Sequence, residues 1–138
     1  MKKPRILMLE PDDADRFITK VFFEEHNFVA DLHFTSSSNE FFDFLTICDH
    51  SAYPDVILLN MHTVPLDAIG ILRTLKDSVK FKHIPVVILS GSIDPKMIRE
   101  CYLAGASSFI QKPDNESETN HKILSFINYW FKTVELVN

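Results

Sequence analysis

Apolar and polar residues alternate along this chain in two registers: short unbroken apolar runs of strand length, and longer stretches with a helical period. The first run is Arg5 to Leu9, closed by Glu10-Pro11-Asp12-Asp13. From Asp13 to His26 the apolar positions Ala14, Phe17, Ile18, Val21 and Phe22 recur at i, i+3 and i+4, the stripe of an amphipathic helix. Phe28, Ala30, Leu32 and Phe34 then alternate with Val29, Asp31, His33 and Thr35, which suits a strand near a sheet edge. Ser37 and Glu40 form a capping-box signature for a second helix carrying Phe41, Phe44, Leu45 and Cys48. Asp55 to Asn60 is a continuous apolar strand, and Asp67 to Asp77 a third helix with Ile71, Leu72 and Leu75 inward.

Ile84 to Ser90 reads as a fourth strand, with Pro85 near its start, where a missing N–H costs least. Asp94-Pro95 supplies an N-cap followed by proline at the first helical position, and Gly105 is a natural stop for that fourth helix. A fifth strand is expected from Ser107 to Lys112. The last helix is expected from Ser117 to Val137, with Ile123, Leu124, Ile127, Trp130 and Val134 on one stripe. Five strands alternating with five helices imply an α/β fold: a parallel sheet covered on both faces, with right-handed crossovers. No repeat beyond this unit, low-complexity tract or linker is visible, so residues 1–138 are expected to form one domain.

Composition narrows the chemistry. The 138 residues are 46% hydrophobic and carry a net charge of −5, which argues against a nucleic-acid partner, since such proteins usually present a basic face. Only Gly70, Gly91 and Gly105 occur, singly, so no glycine loop for cradling phosphate can be drawn. Cys48 and Cys101 form no CxxC pair; buried free thiols are expected, with a structural disulfide as the alternative. The apolar run after Lys2 and Lys3 is too short for a signal peptide or a membrane helix, so the cytoplasm is the expected compartment. The six histidines never fall in HxxxH or HExxH spacing, and Ser90-Gly91-Ser92 lacks the GxSxG elbow.

Ligands of open α/β sheets gather at the carboxyl ends of the strands. Strand one ends in Glu10 with Asp12 and Asp13 beyond it, strand three in Asn60, strand four in Ser90 and strand five in Lys112. Acids beside a lysine and a hydroxyl describe a pocket suited to a divalent cation and a phosphoryl group. Helix capping explains Asp12 and Asp13 equally well. A flavin carrier of similar topology would need a loop rich in Ser, Thr and Gly after strand one, where this chain has Glu-Pro-Asp-Asp-Ala-Asp.

The segments ILMLEPDDADR, PDVILLN, IPVVILSGS and AGASSFIQKP, with the spacing between them, resemble the response-regulator receiver domain of two-component signalling over nearly the whole chain. The resemblance implies a (βα)5 flavodoxin-like, doubly wound sheet of order 2-1-3-4-5 and a signalling module, not an enzyme. It implies an Mg²⁺ site beside a phosphoacceptor aspartate at the end of strand three. It places Ser90 at the hydroxyl that contacts the phosphoryl group, Phe109 at the aromatic switch position and Lys112 at the lysine that pairs with the phosphoaspartate. The Lys112–Pro113 bond falls where the family's peptide is often cis.

Two positions depart from that pattern. The family's acceptor position holds Asn60, and one of its metal-binding acids is replaced by Pro11. Any metal site would draw on Glu10, Asp12, Asn60 and the carbonyl of His62, and would hold Mg²⁺ weakly at best. Ala68 also stands where the family usually has glycine. The expectation is a degenerate receiver: a phosphorylation-independent interaction module in which Lys112 turns to Glu10 or Asp12. The alternative keeps phosphotransfer alive through Asp12 or Asp13 as a surrogate acid. The resemblance implies a histidine kinase or output protein as partner, on the face made by the fourth helix, fifth strand and last helix, and leaves room for a homodimer. Tyr129 and Phe131, beside Trp130, are the expected contact residues; no membrane or nucleic acid is expected to take part.

Overall fold

The computed structural model describes residues 2–137. Its elements are β1 (Arg5–Leu9), α1 (Asp13–Glu25), β2 (Asp31–Thr35), α2 (Ser38–Ile47), β3 (Val56–Asn60), α3 (Ala68–Lys76), β4 (Val86–Ser90), α4 (Pro95–Leu103), β5 (Ser108–Gln111) and α5 (Glu116–Lys132), with a single 3₁₀ turn at His50–Ala52. The five strands are all parallel in the order β2-β1-β3-β4-β5, the flavodoxin-like arrangement.

Successive side chains of a strand point to opposite faces, and each central strand uses both. Leu7, Leu9, Ile57, Leu59, Val86 and Ile88 face α2, α3 and α4, where Phe41, Leu45, Ile71, Leu72 and Leu75 meet them. Ile6, Met8, Val56, Leu58 and Val87 face α1 and α5, meeting Phe23, Phe126 and Ile127. Burying a Leu, Ile or Phe side chain contributes about 1.5–3 kcal/mol, which is why the central strands read as unbroken apolar runs. β2, at the sheet edge, keeps the alternating pattern and leaves Asp31 and His33 in solvent.

Helix starts follow their caps. Asp12, Ser37, Asp67, Asp94 and Asn115 each accept backbone N–H groups from the first turn of α1 to α5 in turn. Glu40 completes a variant of the capping box, its Oε2 accepting from the Ser36 amide 3.1 Å away. α4 ends where Gly105 takes φ of +112°; a Cβ there would lie 2.7 Å from the Lys76 side chain. Both cysteines are free, and burial pushes both thiols above their ordinary range.

Several expectations are corrected. In α1, Phe17 is 68% exposed and Phe23 is the buried residue, because the helix presents the side one position further round to the sheet. β2 begins at Asp31, three residues later than the alternation suggested, after Asn27 takes a positive φ of 55°. α5 ends at Lys132, not Val137: Thr133 caps it, and the Val134 amide bonds back to the Tyr129 carbonyl. Phe131 is not a contact residue on the outer face, since it packs inward against Phe28 and Phe126, with ring centroids 5.2 and 6.1 Å apart. Tyr129 does remain exposed. The cis peptide among the described residues is Val64–Pro65, so Lys112–Pro113 is trans, with the Lys112 amide bonded to the Ser90 carbonyl at 2.7 Å.

Candidate functional site

Parallel pairing brings the ends of β1, β3, β4 and β5 to one edge, and there Glu10, Asn60, Ser90 and Lys112 converge. Glu10 is fully buried. A lone carboxylate in such a place would carry a large desolvation cost, and the surroundings supply the compensation. Its Oε1 accepts from Lys112 Nζ at 2.5 Å. Its Oε2 accepts from Asn60 Nδ2 at 2.9 Å and from the Asp12 amide at 3.3 Å. The Glu10 backbone is fixed as well, its N–H donating to the Thr35 carbonyl and its carbonyl accepting from Arg16.

Lys112 also donates to Asp15 Oδ2 at 2.8 Å. Burial, the largest single influence, pulls the ammonium's pKa down. The hydrogen bonds to Asp15 and Glu10 and the charge of those two carboxylates together outweigh it and hold Lys112 above lysine's ordinary value. The lysine therefore turns to Glu10 and Asp15, not to Asp12. The reason is local: Asp12 Oδ1 is taken up by the Ala14 and Asp15 amides at 2.8 and 3.3 Å, capping α1. One turn further on, Asp15 carries the carboxylate that reaches Lys112. Asp13 turns the other way, to Arg16 and solvent.

The remaining site positions take no side-chain part in this cluster of charges. Ser90 is fully buried, its Oγ accepting from the Ser92 amide at 3.3 Å and sharing a bond with Ser92 Oγ at 3.4 Å. Phe109 is half-buried against the three-helix face, and its amide donates to the Tyr102 hydroxyl on α4 at 3.1 Å. His62 is exposed. Two roles were missed in the sequence, Asp15 as the second partner of Lys112 and Arg16 as the donor to the Glu10 carbonyl. Their signal was the helical spacing in Asp12-Asp13-Ala14-Asp15-Arg16, which puts Asp12 and Asp15 one turn apart and lets Arg16 reach back over both Asp13 and the end of β1.

A divalent cation needs several hard oxygen donors, and these residues do not fit one well. Glu10 is the buried carboxylate and both its oxygens are engaged, Pro11 has no side-chain oxygen, and Asn60 presents its nitrogen toward Glu10. Among the described residues no group of three His, Cys, Asp or Glu side chains is placed to hold a metal.

A model of the response regulator receiver domain matches residues 6–124. This chain belongs to that family. A two-component response regulator of rice, ORR8 of Oryza sativa subsp. indica, is 26% identical over 113 residues, covering 82% of this chain and 89% of the relative. Among solved structures, the response regulator RPA3017 in red light signaling of R. palustris superposes with a TM-score of 0.88 at 28% identity, covering 98% of this chain and 99% of that one. The phosphorylated cyanobacterial phytochrome response regulator RcpA superposes with a TM-score of 0.91 at 23% identity, covering 99% and 100%. Receiver domains are signalling modules of two-component systems that interact with histidine kinases and output domains. No helix among the described residues of this one is long and apolar enough to cross a membrane.

Proposed function

We propose that this receiver domain no longer signals through a phosphate at position 60 and acts as a protein-interaction module held in one state by Lys112. The observation that carries the reading is the Asn60–Glu10–Lys112 arrangement: a carboxamide ends β3 and donates to the very carboxylate that Lys112 neutralises. On the family pattern Asn60 stands at the acceptor position. A carboxylate can attack phosphorus and form an acyl phosphate. A carboxamide is uncharged, has its nitrogen lone pair delocalised into the carbonyl, and is a poor nucleophile.

The same arrangement weakens the metal site that phosphotransfer needs. Mg²⁺ drawing on Glu10, Asp12, Asn60 and the His62 carbonyl would have to displace Lys112 from Glu10, with Pro11 offering nothing in exchange. Phosphotransfer through Asp12 or Asp13 has less support, because Asp12 caps α1 and the Asp13 side chain is 91% exposed and paired with Arg16. As in other receiver domains, the partner is a histidine kinase or an output protein. The face of α4, β5 and α5, with Tyr102 and Tyr129 each about half exposed, is the surface proposed for it or for a homodimer.

Incubation with Mg²⁺ and a small phosphodonor, followed by intact mass measurement, tests this reading. The expected result is an unchanged mass under conditions that phosphorylate an aspartate-bearing receiver. An acid-labile phosphate on the wild-type chain would refute it.

A further inference from the structure

The two faces of the sheet are covered unequally. Five strands about 4.8 Å apart span about 19 Å, and two helices of about 10 Å diameter cover that width with nothing to spare. At the amino-terminal end of the strands α1 and α5 close over the sheet, with Phe23 stacked on Phe126 at a centroid distance of 6.4 Å. Between them lies a cavity of about 330 Å³, lined from Phe23 and Phe126 at that end to Glu10, Lys112 and Glu116 at the strand ends. Its floor is Leu58, Leu89 and Ile110, and Ile18 and Ile123 form its walls. Leu89 belongs to a central strand, yet it is only partly buried although both its neighbours, Ile88 and Ser90, are fully buried. Ile110 is likewise only partly buried.

The mouth is charged and unbalanced. Glu10, Asp15, Asp114 and Glu116 line it against Lys112 and Lys122. Lys112 is spent on Glu10 and Asp15, whereas Lys122 donates to the Gln111 carbonyl at 2.7 Å and keeps its charge. The Asp114 and Glu116 carboxylates, by contrast, take part in no hydrogen bond or ion pair among the described residues. The N-termini of α1 and α5 also point here, and each already carries acids in its first turn, Asp13 with Asp15 and Glu116 with Glu118.

We propose that this cavity is a binding site for a small hydrophobic amine. The apolar body would rest on Leu58, Leu89 and Ile110, and the ammonium would sit at the mouth beside Asp114 and Glu116. Size fits: at roughly 30 Å³ per water-sized group, the cavity holds on the order of ten heavy atoms, one aromatic ring with a short arm. Charge fits as well, because four carboxylates line the mouth against two lysines, an excess of negative charge that favours a cation over an anion. The proposal does not depend on whether position 60 can be phosphorylated. It gives the domain a chemical input beside the Lys112–Asp15 pair.

The test is calorimetric titration of the full chain with 2-phenylethylamine, 3-phenylpropionate and ethylbenzene. The amine should bind to one site, on the order of tenfold more tightly than the carboxylate. Ile123→Trp, which fills the cavity, should abolish binding. Asp114→Asn with Glu116→Gln, both at exposed positions, should weaken the amine severalfold without loss of fold by circular dichroism, which keeps the test decisive if Ile123→Trp misfolds. No binding of the amine, equal or better binding of the carboxylate, or equal binding of ethylbenzene would each overturn the proposal. So would amine binding that neither variant changes.

Discussion

On the β1 side of the strand-end edge, buried Glu10 has both oxygens engaged by Lys112, Asn60 and the Asp12 amide. On the β4 side, the equally buried Ser90 hydroxyl has, among the described residues, only Ser92 as a hydrogen-bond partner, at 3.3 and 3.4 Å. The first half is a charged network in which each member compensates another; the second is a neutral hydroxyl with weak local bonds. A buried carboxylate stripped of its counter-ion is expensive, whereas a buried hydroxyl with long hydrogen bonds is cheap to lose. The stability of this edge therefore rests on the half built around Lys112.

Lys112→Met should break that contrast most severely, leaving Glu10 buried without its counter-ion. Urea unfolding is expected to report a loss of about 3–5 kcal/mol. Asn60→Asp comes next: it exchanges a donor to Glu10 for a second carboxylate beside it, and about 1–3 kcal/mol should be lost. On the proposed reading Mg²⁺ recovers part of that loss in the variant, and leaves the wild-type urea midpoint unmoved.

The pH dependence sharpens the same point. Lys112 is held above its ordinary value in the folded chain, so its contribution is fully present below lysine's unfolded pKa, about 10.4. It is lost as pH rises through the still higher folded value. The stability gap between wild type and Lys112→Met should thus be constant at neutral pH and narrow only in the alkaline range above it, as read from thermal unfolding. Ser90→Ala is the smallest effect, expected to cost about 0.5–1.5 kcal/mol. A Ser90 effect as large as that of Lys112→Met would erase the contrast between the two halves.

The strands were legible because helices cover both faces of the sheet, so Arg5–Leu9 and Val56–Asn60 read as unbroken apolar runs. Caps at Ser37, Asp67 and Asp94 and the stop at Gly105 were legible because they depend on residues within a turn of one another. What failed depends on tertiary partners. In α1 the apolar residues Phe17, Ile18, Val21, Phe22 and Phe23 form two overlapping stripes, and only the sheet decides between them. In α5 the run Tyr129-Trp130-Phe131 gives no local sign of which ring Phe28 will meet. The site positions themselves were readable from the strand ends, and Lys112 was expected at Glu10 or Asp12. Its second partner, Asp15, was not, because the choice between Asp12 and Asp15 turns on which carboxylate the α1 cap consumes.

On the proposed reading Lys112 neutralises Glu10 in the role a divalent cation would otherwise fill. A titration of the isotope-labelled chain with Mg²⁺, followed by NMR at Glu10, Asn60 and Lys112, tests it most directly. These resonances are expected to stay in place at concentrations that saturate aspartate-based magnesium sites, with the Lys112 ammonium still protected. Saturable shifts at Glu10 and Asn60 together with release of Lys112 would contradict it.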